Sequence, residues 1–188
     1  GGKGANQAVA AARGGVRVAM AGAVGDDEAG RRQAEALDAA GVDIRWLRRL
    51  AGVPTGTAFI QVDARGENTI VVVQGANARV ALPGGDVEAR VVVTQNEIPP
   101  AAQQAAGELA ARAGARLVIN AAPAPGSPPP WYGNADPLVV NEHEAAQLAA
   151  SNEAGAGLLR RLRERTGARS VVMTLGERGA LVDDGTGV

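Results

Sequence analysis

Short apolar runs rich in β-branched residues recur along the chain at Val16–Ala19, Val91–Thr94, Arg116–Ile119, Leu138–Val140 and Ser170–Met173. Stretches rich in alanine and charge separate them, and that alternation predicts an α/β fold: a mostly parallel central sheet with helices on both faces. Asp26–Ala40 and Ala101–Ala113 read as helices. The first opens on Asp26, Asp27 and Glu28, where the helix dipole favours negative charge, and closes before Gly41. Pro123–Pro130 carries too much proline for either element and reads as a loop. One stretch departs from the rhythm. Thr55–Asp63 and Asn68–Gln74 are both strand-like, and the polar residues 64–67 between them supply a turn, so a β-hairpin is expected at about 55–75. It could stand as an insertion or as an edge of the main sheet. No internal repeat is visible.

At 188 residues the chain is long enough for one domain with its own core, and a single domain over 1–188 is the expectation. Nineteen Lys and Arg against 20 Asp and Glu leave a net charge of −1, which argues against nucleic acid and anionic membrane as partners. Four aromatic residues are too few for a base-stacking platform. No apolar run approaches the roughly 18 residues that span a bilayer. A cytoplasmic protein fits. With no cysteine and a single histidine, His143, any metal must be held by oxygen, which suits Mg²⁺ bound through carboxylates and a substrate's phosphates. The chain opens on glycine rather than methionine and stops just after a strand-like run, so it reads as an interior fragment.

In open parallel sheets, ligands bind beyond the carboxyl ends of the strands. Those ends are unusually polar here: Gln95, Asn96 and Glu97; Asn120; Asn141, Glu142 and Glu144; and the glycine-flanked turn Thr174 to Gly179. Taken singly, Asn120 or Asn141 could be a helix cap, Thr174–Gly179 a plain turn and Glu97 a solvated carboxylate. Four such ends on one expected edge favour a site. At the other end of the chain, Gly1, Gly2, Lys3 and Gly4 lead straight into an alanine-rich helical pattern. Glycines admit close approach to a ligand, and the helix start offers unpaired N–H groups. Lys3 and Asn6 are three apart and can face one ligand from the first turn. This is no phosphate-binding P-loop, because Lys3 is followed by Gly4 rather than Ser or Thr. Nor is it a dinucleotide fingerprint, because Gln7 stands where a third glycine is needed.

These residues resemble those of the ribokinase-like (phosphofructokinase-B-type) carbohydrate kinases. The diglycine is common to that family, and the Lys3 to Ala8 continuation is similar to its ribokinase branch. The resemblance covers nearly the whole chain in the expected order. It implies ATP-dependent phosphorylation of the 5-hydroxyl of D-ribose, or of another pentose, deoxypentose or nucleoside. A non-catalytic sugar- and nucleotide-binding module is the alternative of a different class. Gly2, Lys3, Gly4, Ala5, Asn6 and Glu97 would then bind the sugar. Asn141, Thr174, Leu175, Gly176, Glu177, Arg178 and Gly179 would meet the nucleotide, and Glu144 would organise Mg²⁺. The resemblance also implies that the hairpin is a lid over the sugar, through which two copies would pair as a homodimer, and that a monovalent cation such as K⁺ can take part. Its catalytic base belongs to a Gly-Ala-Gly-Asp motif that does not occur in these 188 residues, so the chain by itself is expected to be inactive.

Overall fold

The computed structural model describes residues 2–62 and 68–188, so the turn expected over 64–67 lies outside the described residues. The chain forms two compact units, Gly1–Gly84 with Glu97–Pro99, and Gly85–Asn96 with Pro100–Val188.

The first unit begins with α1 (Gly2–Arg13), followed by β1 (Gly22–Gly25), α2 (Glu28–Ala39) and β2 (Leu47–Leu50). Its core joins Ala5 and Ala8 of α1 to Leu37 and Val42, with Val9, Val18, Met20 and Ile44 packed around them. Strand β1 pairs in parallel with β2, Gly22 opposite Leu47 and Gly25 opposite Leu50. The strand expected at Val16–Ala19 therefore forms later. Val16 is exposed, and the run contributes an isolated bridge from Ala19 to Asp43. Within β1 the backbone is closely approached: a Cβ on Gly25 would lie 2.4 Å from the carbonyl oxygen of Val53. Close approach, not strand propensity, chooses the residues of β1.

Asp27 caps α2, its Oδ1 accepting from the Gly30 N–H at 2.8 Å. The same carboxylate reaches 28 residues along the chain. Oδ2 accepts from the Thr55 N–H at 2.8 Å and Oδ1 from the Thr55 hydroxyl at 2.6 Å, while that hydroxyl accepts from the Gly25 N–H at 2.9 Å. Thr55 leads into β3 (Thr57–Val62), which pairs antiparallel with β4 (Asn68–Val73), Phe59 opposite Val71. The expected hairpin is present. At its base a Cβ on Gly56 would lie 2.6 Å from the Gln74 carbonyl oxygen, and one on Gly75 would lie 2.4 Å from that of Pro54. Every residue of β3 is exposed, as are Val71, Val72 and Val73.

In the second unit five strands lie in chain order: β5 (Val91–Gln95), β6 (Arg116–Asn120), β7 (Ala135–Asn141), β8 (Val171–Thr174) and β9 (Ala180–Asp183). The first four are parallel and β9 is antiparallel to β8. With the helices α3 (Pro100–Ala113), α4 (Glu142–Ala149) and α5 (Gly155–Thr166), this is the expected mostly parallel α/β architecture. Leu117, Ile119, Leu138, Val140, Val171 and Met173 alternate onto one sheet face and pack with Ala110, Ala145, Leu148, Leu158, Leu159 and Leu162 from the three helices. The opposite face carries Val91, Val93 and Val182, each about half exposed. Trp131 packs against this core, whereas Trp46 belongs to the first unit, with the Arg45 guanidinium 5.7 Å from its ring centroid. No helix among the described residues is long and apolar enough to cross a membrane.

The hydrogen bonds from Thr55, and then that from Gly30, hold the Asp27 carboxyl below its ordinary value of 3.8. Stability linked to that shift is present above the unfolded-state pKa and is lost as pH falls through the lower folded-state value. Asp27→Asn should therefore lower Tm near pH 7, and the gap to wild type should close as pH drops below about 4. Thermal melts from pH 2.5 to 7 check this; a gap of constant size across that range would mean the carboxylate charge is not involved.

Candidate functional site

The first group of candidate residues gathers at the start of α1. Glu97, contributed by a short segment far along the chain, accepts at Oε2 from the Lys3 backbone N–H at 2.7 Å and at Oε1 from the Lys3 ammonium at 2.8 Å. Both of its oxygens are thus engaged by one residue 94 positions away. Gly2 adopts a φ of +82°, and a Cβ there would press to 3.2 Å from Glu97 Oε2, so a side chain would crowd the carboxylate. Gly4 and Ala5 complete the first turn. Ala5 is buried in the core, and Asn6 lies one turn on from Lys3, exposed to solvent. The side chains of Lys3 and Glu97 are 39% and 29% exposed, within reach of a ligand. An ammonium neutralised by its carboxylate, beside an amide, suits neutral hydroxyl groups, which both donate and accept, better than it suits a free anion.

The second group lies at the carboxyl edge of the five-stranded sheet. Gln95 is in register with Asn120, Asn120 with Val139, and Asn141 with Thr174, so parallel pairing carries four polar strand ends to one edge. Asn141 ends β7 and caps α4. Its Oδ1 accepts from the Glu144 N–H at 2.8 Å, and Glu144 Oε2 accepts from the Asn141 N–H at 2.9 Å, a reciprocal capping box. The Thr174 hydroxyl donates to the Val140 carbonyl at 3.3 Å. Beyond it, Leu175 to Gly179 form a tight turn with Gly176 at φ +61° and Gly179 at φ +88°, closed by the Leu175 N–H on the Gly179 carbonyl at 2.8 Å. Arg178 in this turn donates to Glu142 of α4 at 2.6 Å.

The donors here are oxygens, from the Glu144 carboxylate, the Asn141 amide and the Thr174 hydroxyl. Among the described residues no cluster of three or more His, Cys, Asp or Glu could cage a metal unaided. One carboxylate supplemented by phosphate oxygens is the arrangement Mg²⁺ favours, so the residues fit that ion when a nucleotide accompanies it.

The sequence marks Asn96 as part of a polar strand end but assigns it no partner. Its amide donates to the Pro123 carbonyl and to the Tyr132 hydroxyl, both at 2.7 Å, and so ties the segment after β5 to the loop after β6. Burial pushes the Tyr132 phenol up, against that hydrogen bond, and the charge of Glu144 adds to the rise. An asparagine after a strand was visible in the sequence, but the tyrosine it would meet, 36 residues on, was not. His143 is exposed.

The chain matches the pfkB family of carbohydrate kinases over residues 1–188. It is 34% identical to a ribokinase of Haemophilus influenzae, over 97% of this chain and 62% of the relative. It is 36% identical to a ribokinase of Mus musculus, over 97% and 59%. The structure of Arabidopsis thaliana ribokinase complexed with ribose and ATP superposes with a TM-score of 0.84 at 27% identity, over 97% of this chain and 62% of that one. The chain thus spans about three fifths of the length of the curated relatives it matches.

If the capping box holds α4, Asn141→Ala should destabilise the fold by about 0.5–2 kcal/mol, whereas Glu144→Gln, whose amide oxygen still accepts from the Asn141 N–H, should stay close to wild type. Denaturant unfolding of the two variants separates the effects; equal losses would assign the stabilisation to the Glu144 charge.

Proposed function

Because the chain belongs to the pfkB family of carbohydrate kinases, we propose that its protein transfers the γ-phosphoryl group of ATP to the 5-hydroxyl of D-ribose, yielding ribose 5-phosphate. The observation that carries this reading is the clasp of Lys3 and Glu97 at the start of α1, a neutralised pair built for hydroxyl groups. The ribokinase named with ribose and ATP supports the choice of sugar and nucleotide. Lys3, Asn6 and Glu97 bind and orient the sugar hydroxyls. Gly2 and Gly4 keep that wall free of bulk, while Ala5 packs in the core.

On the sheet edge, Asn141 and Thr174 fix the strand ends, and the turn Leu175, Gly176, Glu177, Arg178 and Gly179 turns its backbone toward the nucleotide phosphates. Glu144 orders the water shell of Mg²⁺. That ion, when bound with ATP, offsets charge on the phosphate oxygens. A monovalent cation such as K⁺ belongs to the same reading, as does a homodimer formed through the exposed β3–β4 hairpin of a cytoplasmic enzyme. No residue of this chain is assigned as the base that deprotonates the sugar.

Losing one partner of a buried, bound hydroxyl costs about 1–3 kcal/mol, or roughly 5- to 150-fold in affinity. Asn6→Ala and Glu97→Ala, made in the complete reading frame, should raise KM for ribose by that order and leave KM for ATP near wild type. Steady-state assays with each substrate varied decide the point; unchanged ribose kinetics in both variants would remove these residues from the sugar site.

Glu144→Gln, which keeps the capping bond, should lower kcat and raise the Mg²⁺ concentration giving half-maximal rate. A normal Mg²⁺ titration in that variant would leave Glu144 with capping alone.

A further inference from the structure

Glu142 is the first residue of α4, and Arg178 closes the single turn between β8 and β9, 36 residues later. Arg178 Nη2 stands 2.6 Å from Glu142 Oε2. The sequence places Arg178 in the nucleotide turn and Glu142 among the polar strand ends, with nothing in the spacing that pairs them. Three facts about the turn make the contact informative. Its flanking glycines, at φ +61° and +88°, give it a backbone that is costly to order. Its near end is fixed, since Thr174 is in register with Asn141 and bonds to Val140. Its far end is closed by the Leu175 N–H on the Gly179 carbonyl at 2.8 Å and by the pairing of Ala180 with Thr174, whereas its middle carries longer bonds of 3.2 and 3.3 Å, from the Gly179 N–H to Gly176 and from the Arg178 N–H to Leu175, so an outside anchor at Arg178 matters.

We infer that Glu142 is a positioning residue for the nucleotide turn: it holds the Arg178 guanidinium against α4, ordering Leu175–Gly179 before the nucleotide arrives. This rests on the nucleotide role proposed above for that turn. The pairing has an electrostatic side as well. A bare carboxylate next to Asn141 would repel a polyphosphate, and the guanidinium masks it. Conversely, an arginine already engaged by a carboxylate is not a free phosphate ligand, so the turn offers its backbone rather than this side chain.

The alternative, direct phosphate binding by the Arg178 side chain, predicts the opposite sign in one variant. With the complete reading frame, ATP turnover is first measured for wild type; no turnover and no ATP binding by calorimetry would overturn both the proposed function and this inference. Given wild-type activity, Glu142→Ala should raise KM for ATP about two- to fivefold, the scale of an exposed ion pair, with kcat and KM for ribose near wild type. The increase should shrink in 0.5 M salt, which screens the wild-type pair too. Glu142→Gln should fall between the two, which keeps the test alive if the alanine variant folds poorly. The reversed pair, Glu142→Arg with Arg178→Glu, should recover most of the loss in KM even if it lowers Tm through the helix dipole. An unchanged KM for ATP in Glu142→Ala, a lowered one, or a rise that neither salt nor charge reversal affects would overturn the inference.

Discussion

Parallel pairing is the constraint on which the candidate nucleotide region depends. Four neighbouring strands that run the same way must end at the same edge, and in this chain each of those ends carries an oxygen- or nitrogen-bearing side chain. Gln95, Asn120, Asn141 and Thr174 are brought together by backbone register. The buried face beneath, from Leu117 to Met173, holds that register, since a slip of one residue would turn valines and leucines out of the core. Core and edge are therefore two readings of one alternation.

The first unit solves a different problem, anchoring an exposed two-stranded ribbon. A hairpin of this size buries too little to stand alone, and β3 buries nothing that is described. Its base is instead fixed by the Asp27 carboxylate on Thr55 and by backbone crossings at Gly56 and Gly75 that leave no room for a Cβ. Rigidity is concentrated at the root. The ribbon above it keeps two apolar faces, with Phe59 and Val71 on one and Ile60 and Val72 on the other.

How far the sequence could be read follows from the same physics. Leu138–Val140 announces itself because a buried parallel strand is apolar on both sides, and Val91–Thr94 through its β-branched run although Val91 and Val93 stay half exposed; the structure extends both by a few residues at most. Strand β1 stayed hidden because its glycines answer to close approach. Strand β2, Leu47-Arg-Arg-Leu50, stayed hidden because exposed arginines interrupt its apolar pattern. In α5 the leucines at 158, 159 and 162 lie among four arginines and were not read as a helix face. Lys3 and Glu97 were legible as candidates through the resemblance of their motifs, although nothing in their spacing revealed that they would touch. The contacts of Asn96 with Tyr132 and of Glu142 with Arg178 depend on how strands and loops are registered, which a linear pattern does not encode.

The placement of the two tryptophans has a practical consequence. Trp46 sits in the first compact unit beneath a guanidinium, and Trp131 packs into the core of the second, with its indole nitrogen buried and without a hydrogen-bond partner among the described residues. Within these 188 residues each unit thus carries one tryptophan, and the two surroundings differ in charge and polarity. Replacing either indole by phenylalanine leaves a selectively excited tryptophan emission that reports on the other unit alone. The cooperativity of the whole chain then becomes visible as the coincidence, or separation, of two optical transitions.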